Sequence, residues 1–263
     1  MDLQLKDKVT LITGPAKGMG AAVTLAFARE GARLVLAGRD TAAIEPVAAE
    51  ARALGVEAIV VPCDLTKSEQ TEALAAHALE AFGHVDVLVN VAGGSGPIGK
   101  TGWETTTDEF NEIVELNMTG CFNTIHAVLP SMIERRSGKV VNVGGTFGLR
   151  GRAGRTAYSA SKWGLRGITK SFALEVGSYN INVNCVAPGM VDGPRFRDKV
   201  CADMARKLGI SVEQAMERHV AEYAMKRVTN DTDVANACLF LTSDASRQIT
   251  GIDLPVDGGW AML

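Results

Sequence analysis

Val9-Thr10-Leu11-Ile12-Thr13-Gly14-Pro15-Ala16-Lys17-Gly18-Met19-Gly20 is the stretch on which the fold turns. Its first five residues carry no charge and alternate β-branched with apolar side chains, the pattern of a strand buried on both faces. Glycines follow at 14, 18 and 20, and residues 21–30 then place apolar side chains at helical spacing. A strand that passes through glycines into a helix has a specific geometry. Glycine allows the sharp turn, the close approach of backbone to a phosphate, and tight packing of helix on strand. The first turn of the helix leaves free N–H groups that favour an anion.

Outward from that turn the alternation continues. Strands are expected at 33–37, 58–62, 86–90, 139–143, 182–186 and 253–256. Helices are expected at 42–54, 68–82, 110–133, 157–177 and 231–241, the third of these bending or ending near Pro130. Apolar strands joined by helices predict the α/β class, as a doubly wound, Rossmann-like parallel sheet of about seven strands covered by helices on both faces. No Pro/Ser-rich linker divides the chain, so residues 1–263 read as one dinucleotide-binding and catalytic domain. Residues 193–227 break the alternation where an open α/β sheet binds ligands, and read as a substrate lid. The lid's Met204, Leu208, Ile210, Val212, Met216 and Val220 suggest amphipathic helices.

Composition excludes other classes. The chain has 27 basic and 30 acidic residues, a net charge of −3, and is 46% hydrophobic, which is too apolar for a disordered chain. That charge balance gives no reason to bind nucleic acid or an anionic membrane, and 5% aromatics make a poor base-stacking platform. Cys63, Cys121, Cys185, Cys201 and Cys238 are odd in number and widely spaced, which argues against disulfides and for a reducing compartment. The charged N-terminus lacks a signal-peptide core, and no run approaches the roughly 18 apolar residues of a membrane span. A cytoplasmic protein is expected. His77, His84, His126 and His219 show no metal-ligand spacing, so no metal is expected.

Three motifs then point to a family. Thr13-Gly14-xxx-Gly18-x-Gly20, Asn90-Val91-Ala92-Gly93 and Tyr158-xxx-Lys162 stand in order along the chain. With Pro188-Gly189 and the tail Gly251-Ile252-Asp253-Leu254-Pro255-Val256-Asp257-Gly258-Gly259, they make the chain resemble the short-chain dehydrogenase/reductase superfamily over essentially its whole length. The resemblance is to the single-domain subgroup. It implies a nicotinamide dinucleotide, with its pyrophosphate at Gly14, Lys17, Gly18, Met19 and Gly20. It places Asp64 and Leu65 by the adenine, Asn90, Ala92 and Gly93 near the adenosine ribose, and Val186, Pro188, Gly189 and Val191 along the nicotinamide. NAD-preferring members usually carry an acid at the end of the second strand. Here Ala37-Gly38-Arg39-Asp40 has Gly38 at that position and then Arg39, whose guanidinium suits a 2′-phosphate, with Lys17 as a second cation. NADP(H) is therefore favoured. NAD(H) is the alternative, with Asp40 turning in to hold a 2′-hydroxyl.

Tyr158 and Lys162 lie four residues apart on one helix face. A nearby ammonium stabilises phenolate, which makes Tyr158 the expected acid/base, with Lys162 also binding the cofactor ribose. By resemblance, Asn117 holds a water beside the lysine. The implied reaction is hydride transfer between a nicotinamide cofactor and a small secondary alcohol or ketone. One member of the expected tetrad is missing. Thirteen residues before the tyrosine the family places a serine, and this chain has Gly145 in Asn142-Val143-Gly144-Gly145-Thr146. Three explanations stand. Thr146 supplies the hydroxyl, or substrate or water fills the space, or the chemistry is non-redox and lyase-like. If redox chemistry is retained, serine at 145 should leave activity similar or raise it, unless substrate uses the space. Relatives also often carry a threonine where this chain has Gly193, so the carboxamide contact is unassigned.

The substrate is the least legible part. Arg150, Arg152 and Arg155, with Arg195 and Arg197 in the lid, would suit an anionic substrate if they converge; the ordinary reading is solvated surface charge. The tail Trp260-Ala261-Met262-Leu263 is apolar for a terminus, and by resemblance such tails pack between subunits, so a homotetramer is expected.

Overall fold

A computed structural model describes residues 2–262 of the chain; Met1 and Leu263, the last residue of the apolar tail, lie outside the described residues. The first strand, β1 (Val9–Thr13), is fully buried and runs through the glycine turn into α1 (Met19–Arg29). Then follow β2 (Arg33–Gly38), α2 (Thr41–Ala53), β3 (Ala58–Pro62), α3 (Ser68–Phe82) and β4 (Val87–Asn90). The second half comprises α4 (Thr107–Val114), α5 (Gly120–Arg135), β5 (Gly138–Val143), α6 (Thr156–Val176), β6 (Ile181–Pro188), α7 (Ala202–Leu208), α8 (Val212–Ala221), α9 (Asp231–Thr242) and β7 (Asp253–Val256). The seven strands form one sheet in the order β3-β2-β1-β4-β5-β6-β7, and every adjacent pair is parallel.

Strand periodicity sorts the core into two layers. Ile12, Leu36, Val89 and Val143 pack under Phe27 of α1, Ile44 of α2 and Cys238 of α9. Their alternates Leu11, Val35, Leu88 and Val140 pack under Leu74 of α3, Ile125 and Met132 of α5, and Ala173 of α6. Both faces of the sheet are thus covered, as the uninterrupted apolar strands require.

The long helix expected at 110–133 differs in form. It starts at a capping box, in which Thr106 accepts from the Glu109 N–H and Glu109 accepts from the Thr106 N–H. It is then interrupted by a π-helical turn over Glu115–Thr119, where the Gly120 N–H reaches back to the Glu115 carbonyl. Pro130 neither ends nor replaces that break; it sits inside α5. The lid region contains a π-helical turn (Phe196–Cys201) running into α7, followed by α8, whose N-terminus is capped by Ser211. Phe196, Cys201, Ala205 and Ala215 form a small apolar core, so the segment is packed and not a loose strap.

Polar side chains cross the centre of the sheet in a satisfied chain. Asn90 Nδ2 donates to Asn142 Oδ1 at 3.0 Å, Thr124 Oγ1 donates to Asn90 Oδ1 at 2.8 Å, and Asn142 Nδ2 donates to Thr169 Oγ1 at 3.0 Å. Leaving one buried partner unmade costs about 1–3 kcal/mol. Asn142→Leu orphans the Asn90 amide, and should lower unfolding stability by about that amount, read from the urea midpoint at unchanged slope.

Candidate active site

Strand order reverses between β1 and β4, where the chain leaves the sheet toward opposite faces. A cleft of about 740 Å³ opens there, and its lining includes Gly14, Lys17, Gly18, Met19 and Gly20. The glycines are required sterically. Gly14 has φ +68°, and a Cβ on it would lie 2.7 Å from Ala92 Cα; a Cβ on Gly20 would lie 2.0 Å from the Gly14 carbonyl oxygen. The N-terminus of α1 has no side-chain cap and no acid in its first turn. Its N–H groups and the backbone cradle fit a pyrophosphate.

Arg39, Asp64, Leu65, Ala92, Gly93 and Val191 also line the cleft. Asp40 does not turn into it, because its carboxylate caps α2 by accepting from the Ala43 N–H at 3.0 Å. Asp64 accepts from the Thr66 N–H and hydroxyl, and the Thr66 N–H foremost, with Arg39 nearby, holds its carboxyl below the ordinary value. Other expected cofactor residues are not among those that line the cleft. Asn90 is 1% exposed and its amide belongs to the polar chain of the sheet, while Val186 is a buried strand residue. Pro188 ends β6, and Gly189 packs so closely on Asp257 and Tyr223 that a Cβ there would lie 3.0 Å and 3.1 Å from them.

Tyr158 and Lys162 stand one turn apart on α6. Lys162 is buried, and its Nζ donates to the Val143 carbonyl at 2.9 Å, fixing it at the end of β5. Asn117 sits in the π-helical turn. Its Oδ1 accepts from the Gly94 N–H at 2.7 Å, and its Nδ2 donates to the Gly94 carbonyl and to Ser161 Oγ, each at 3.0 Å. Ser161 Oγ in turn donates to the Tyr158 carbonyl at 2.8 Å. A Cβ on Gly93 would lie 2.9 Å from Asn117 Oδ1 and 3.7 Å from Lys162 Nζ, so only glycine fits between them. Among the described residues, the Tyr158 hydroxyl has no hydrogen-bond partner.

The glycine at 145 is accounted for by that hydroxyl. A Cβ on Gly145 would lie 2.9 Å from Tyr158 Oη. The backbone there is extended, with φ 161° and ψ 151°, so conformation does not demand glycine; the phenol does. Thr146 does not take the serine's place. It is buried at the start of a short 3₁₀ turn (Thr146–Gly148), and no hydrogen bond joins it to Tyr158 among the described residues. The position a Cβ at 145 would take is met by the Tyr158 hydroxyl.

The arginines separate. Arg150 stacks on Trp260 at 5.1 Å, Arg152 pairs with Glu222 at 3.2 Å, and Arg197 pairs with Asp192 at 2.8 Å and 2.7 Å. Only Arg155 of that loop turns to Tyr158, its guanidinium lying 4.8 Å from the ring centroid. Phe147 meets the same tyrosine edge-on at 6.1 Å. Ser161, Phe147 and Gly94 were missed by sequence reasoning. Ser161 could have been found, because it lies three residues from Tyr158 and so turns to the same side of the helix. The 193–227 segment touches the loop after β4, with Lys207 Nζ donating to the Gly99 carbonyl at 3.3 Å while pairing within its own helix with Asp203 at 2.9 Å.

Comparison with known proteins agrees with this geometry. The family profile described as short chain dehydrogenase matches residues 8–204. The 2,5-dichloro-2,5-cyclohexadiene-1,4-diol dehydrogenase LinX of Sphingobium indicum is 33% identical, over 98% of both chains. The 3-oxoacyl-[acyl-carrier-protein] reductase FabG of Thermotoga maritima is 34% identical, over 98% of this chain and 99% of its own. Among solved structures, NAD+-bound xylitol dehydrogenase superposes with TM-score 0.92 at 29% identity, covering 97% of this chain and 100% of that one. A single-residue variant of actinorhodin polyketide ketoreductase with NADPH superposes with TM-score 0.91 at 33% identity, covering 98% of each chain. A family match over most of the chain and full-length relatives above 30% identity mean that the protein belongs to the short-chain dehydrogenase family.

Proposed function

We propose that the protein is a nicotinamide-dependent oxidoreductase that interconverts a small secondary alcohol and its ketone, with Tyr158 as acid and base. The observation that carries this reading is the unpaired Tyr158 hydroxyl, held one helical turn from a buried lysine in a molecule whose glycine-lined cleft fits a dinucleotide. When bound, the cofactor supplies or takes up the hydride. The chain's own residues manage the proton. Tyr158 Oη gives a proton to the carbonyl oxygen in reduction and takes one from the alcohol in oxidation. Lys162, oriented by the Val143 carbonyl, stabilises the phenolate and binds the cofactor ribose. Asn117 locks the 93–94 backbone against α6 and lies beside Lys162 for proton relay. The dehydrogenase and reductase names of the relatives favour redox chemistry, and nothing favours the lyase-like alternative.

The preferred cofactor is NADP(H), with NAD(H) as the alternative. Arg39 and Lys17 line the cleft as cations without a salt-bridge partner among the described residues, and Asp40, the acid an NAD ribose would need, is spent as a helix cap. Gly14, Gly18, Met19 and Gly20 take the pyrophosphate. Asp64 and Leu65 take the adenine side, Ala92 and Gly93 the adenosine ribose, and Val191 the nicotinamide side, with Asn90, Pro188 and Gly189 behind them. The enzyme is a cytoplasmic homotetramer in this reading. Its five cysteines are free and buried, and among the described residues no helix is long and apolar enough to cross a membrane. Trp163 and Leu174 of α6 and Phe122 of α5 are exposed, apolar surface that subunit contacts would cover.

Tyr158→Phe should lower kcat by about 10²–10⁴-fold, while cofactor binding, read by quenching of protein fluorescence, persists. Gly145→Ala or Gly145→Ser should lower kcat about three- to tenfold in the same assay, because the new Cβ displaces the phenol. Arg39→Ala should cut kcat/KM for NADP+ by about 10- to 100-fold and leave NAD+ nearly unchanged; an NAD+ preference untouched by the change overturns the assignment. Light scattering should give four times the 27.8 kDa chain mass.

A further inference from the structure

Arg155 is held in an unusual way. Its guanidinium lies 4.8 Å from the Tyr158 ring centroid and 5.8 Å from that of Phe147. Its Nε is buried without a hydrogen-bond partner, and no carboxylate pairs with it among the described residues. Its position is built by packing, since Gly154, at φ +71°, lets the chain pass so close to the 94–100 loop that a Cβ would lie 3.3 Å from Gly99 Cα. A cation stacked on two rings gains cation–π attraction, yet its buried Nε–H needs an acceptor, and aromatic faces supply none.

The lid adds a second cation. Arg195 lines the cleft and makes no salt bridge among the described residues. The nearby acid Asp192 is consumed by Arg197. Asp198 and Lys199 of the same segment also line the cleft. Burial pushes Arg155 below its ordinary value; the Tyr158 phenol opposes this and the charge of Arg195 adds to it. An anion bound at Arg155 gives its buried, unpartnered Nε an acceptor and offsets the desolvation of the guanidinium.

We infer that Arg155, assisted by Arg195 of the lid, binds an anionic group of the substrate, a carboxylate or sulfonate, close to the carbon that Tyr158 serves. The inference rests on the redox reading of the same site. One ring serves both ends: its hydroxyl meets the reacting oxygen and its face carries the guanidinium. The anionic group therefore lies within a few bonds of the carbinol carbon, as in 2- or 3-hydroxy acids. A planar guanidinium takes a carboxylate through two parallel bonds, which fixes the substrate's orientation as well as its charge.

The test compares lactate and 3-hydroxybutyrate with their methyl esters, using wild type, Arg155→Met, Arg155→Lys and Arg195→Gln, by nicotinamide absorbance. Wild type should prefer acid over ester in kcat/KM by about 10- to 100-fold. Arg155→Met should collapse that ratio toward one, Arg155→Lys should keep part of it, and Arg195→Gln should reduce it. A wild-type ratio near one, or a ratio that Arg155→Met leaves intact, overturns the inference while the redox reading stands. If no acid or ester turns over, the redox reading is what fails for these compounds, and calorimetry with malonate decides the anion site. Malonate binding to wild type that is lost in Arg155→Met supports the site; equal or absent binding overturns it. Circular dichroism of each variant separates lost recognition from lost folding, and Arg195→Gln tests the site if Arg155→Met does not fold.

Discussion

The side-chain amide of Asn117 is the fastening on which the arrangement around Tyr158 and Lys162 depends. It satisfies both the N–H and the carbonyl of Gly94 and reaches Ser161, so one residue ties the exit of β4 to α6. The π-helical turn that carries it places the amide inward without ending the helix, a device common at functional sites. Because Gly93 has no side chain, Asn117 and Lys162 approach the same stretch of backbone. Lys162 then spends one of its three donors on the Val143 carbonyl at the end of β5. Positions of tyrosine, lysine and glycine loop are thus mutually determined, and loosening one loosens the others.

Much of this was legible from residues alone. β1, β3, α3 and β7 fall where apolar runs and glycine or proline punctuation place them. The parallel sheet followed from strands with no polar face. The break in the long helix was misplaced because proline is a visible breaker and a π-turn has no sequence mark of comparable strength. Pro130 is accommodated in α5, whereas the break at 115–119 follows from where Asn117 must point. Asn90 shows a different limit. Its motif is readable, but whether its amide faces the cleft or the sheet depends on Asn142 and Thr124, far away in sequence. The arginines of the 150–155 loop look alike in one dimension, and only packing separates the stacked Arg155 from those spent on Trp260 and Glu222.

Gly145 shows how an apparent defect is a consequence of packing. In the proposed reading the Tyr158 hydroxyl is steered by a lack of volume at residue 145. Phe147 and Arg155 press on the ring while Gly145 yields room at its end. Orientation of the ring is set by shape and a cation.

The reversal of strand order that opens the cleft also governs how the chain reaches its native state. The β1–β4 neighbourhood joins residues 77 positions apart, through bonds such as that from the Val9 N–H to Asp86. Closing so long a loop is entropically slow, and until it closes neither half owns a cleft. The β1–β3 half carries the glycine cradle, and the remainder carries the tyrosine and lysine. The cradle and the tyrosine–lysine pair therefore share one cleft only once β1 and β4 have paired, and without that pairing each of these two central strands leaves one edge without a neighbour.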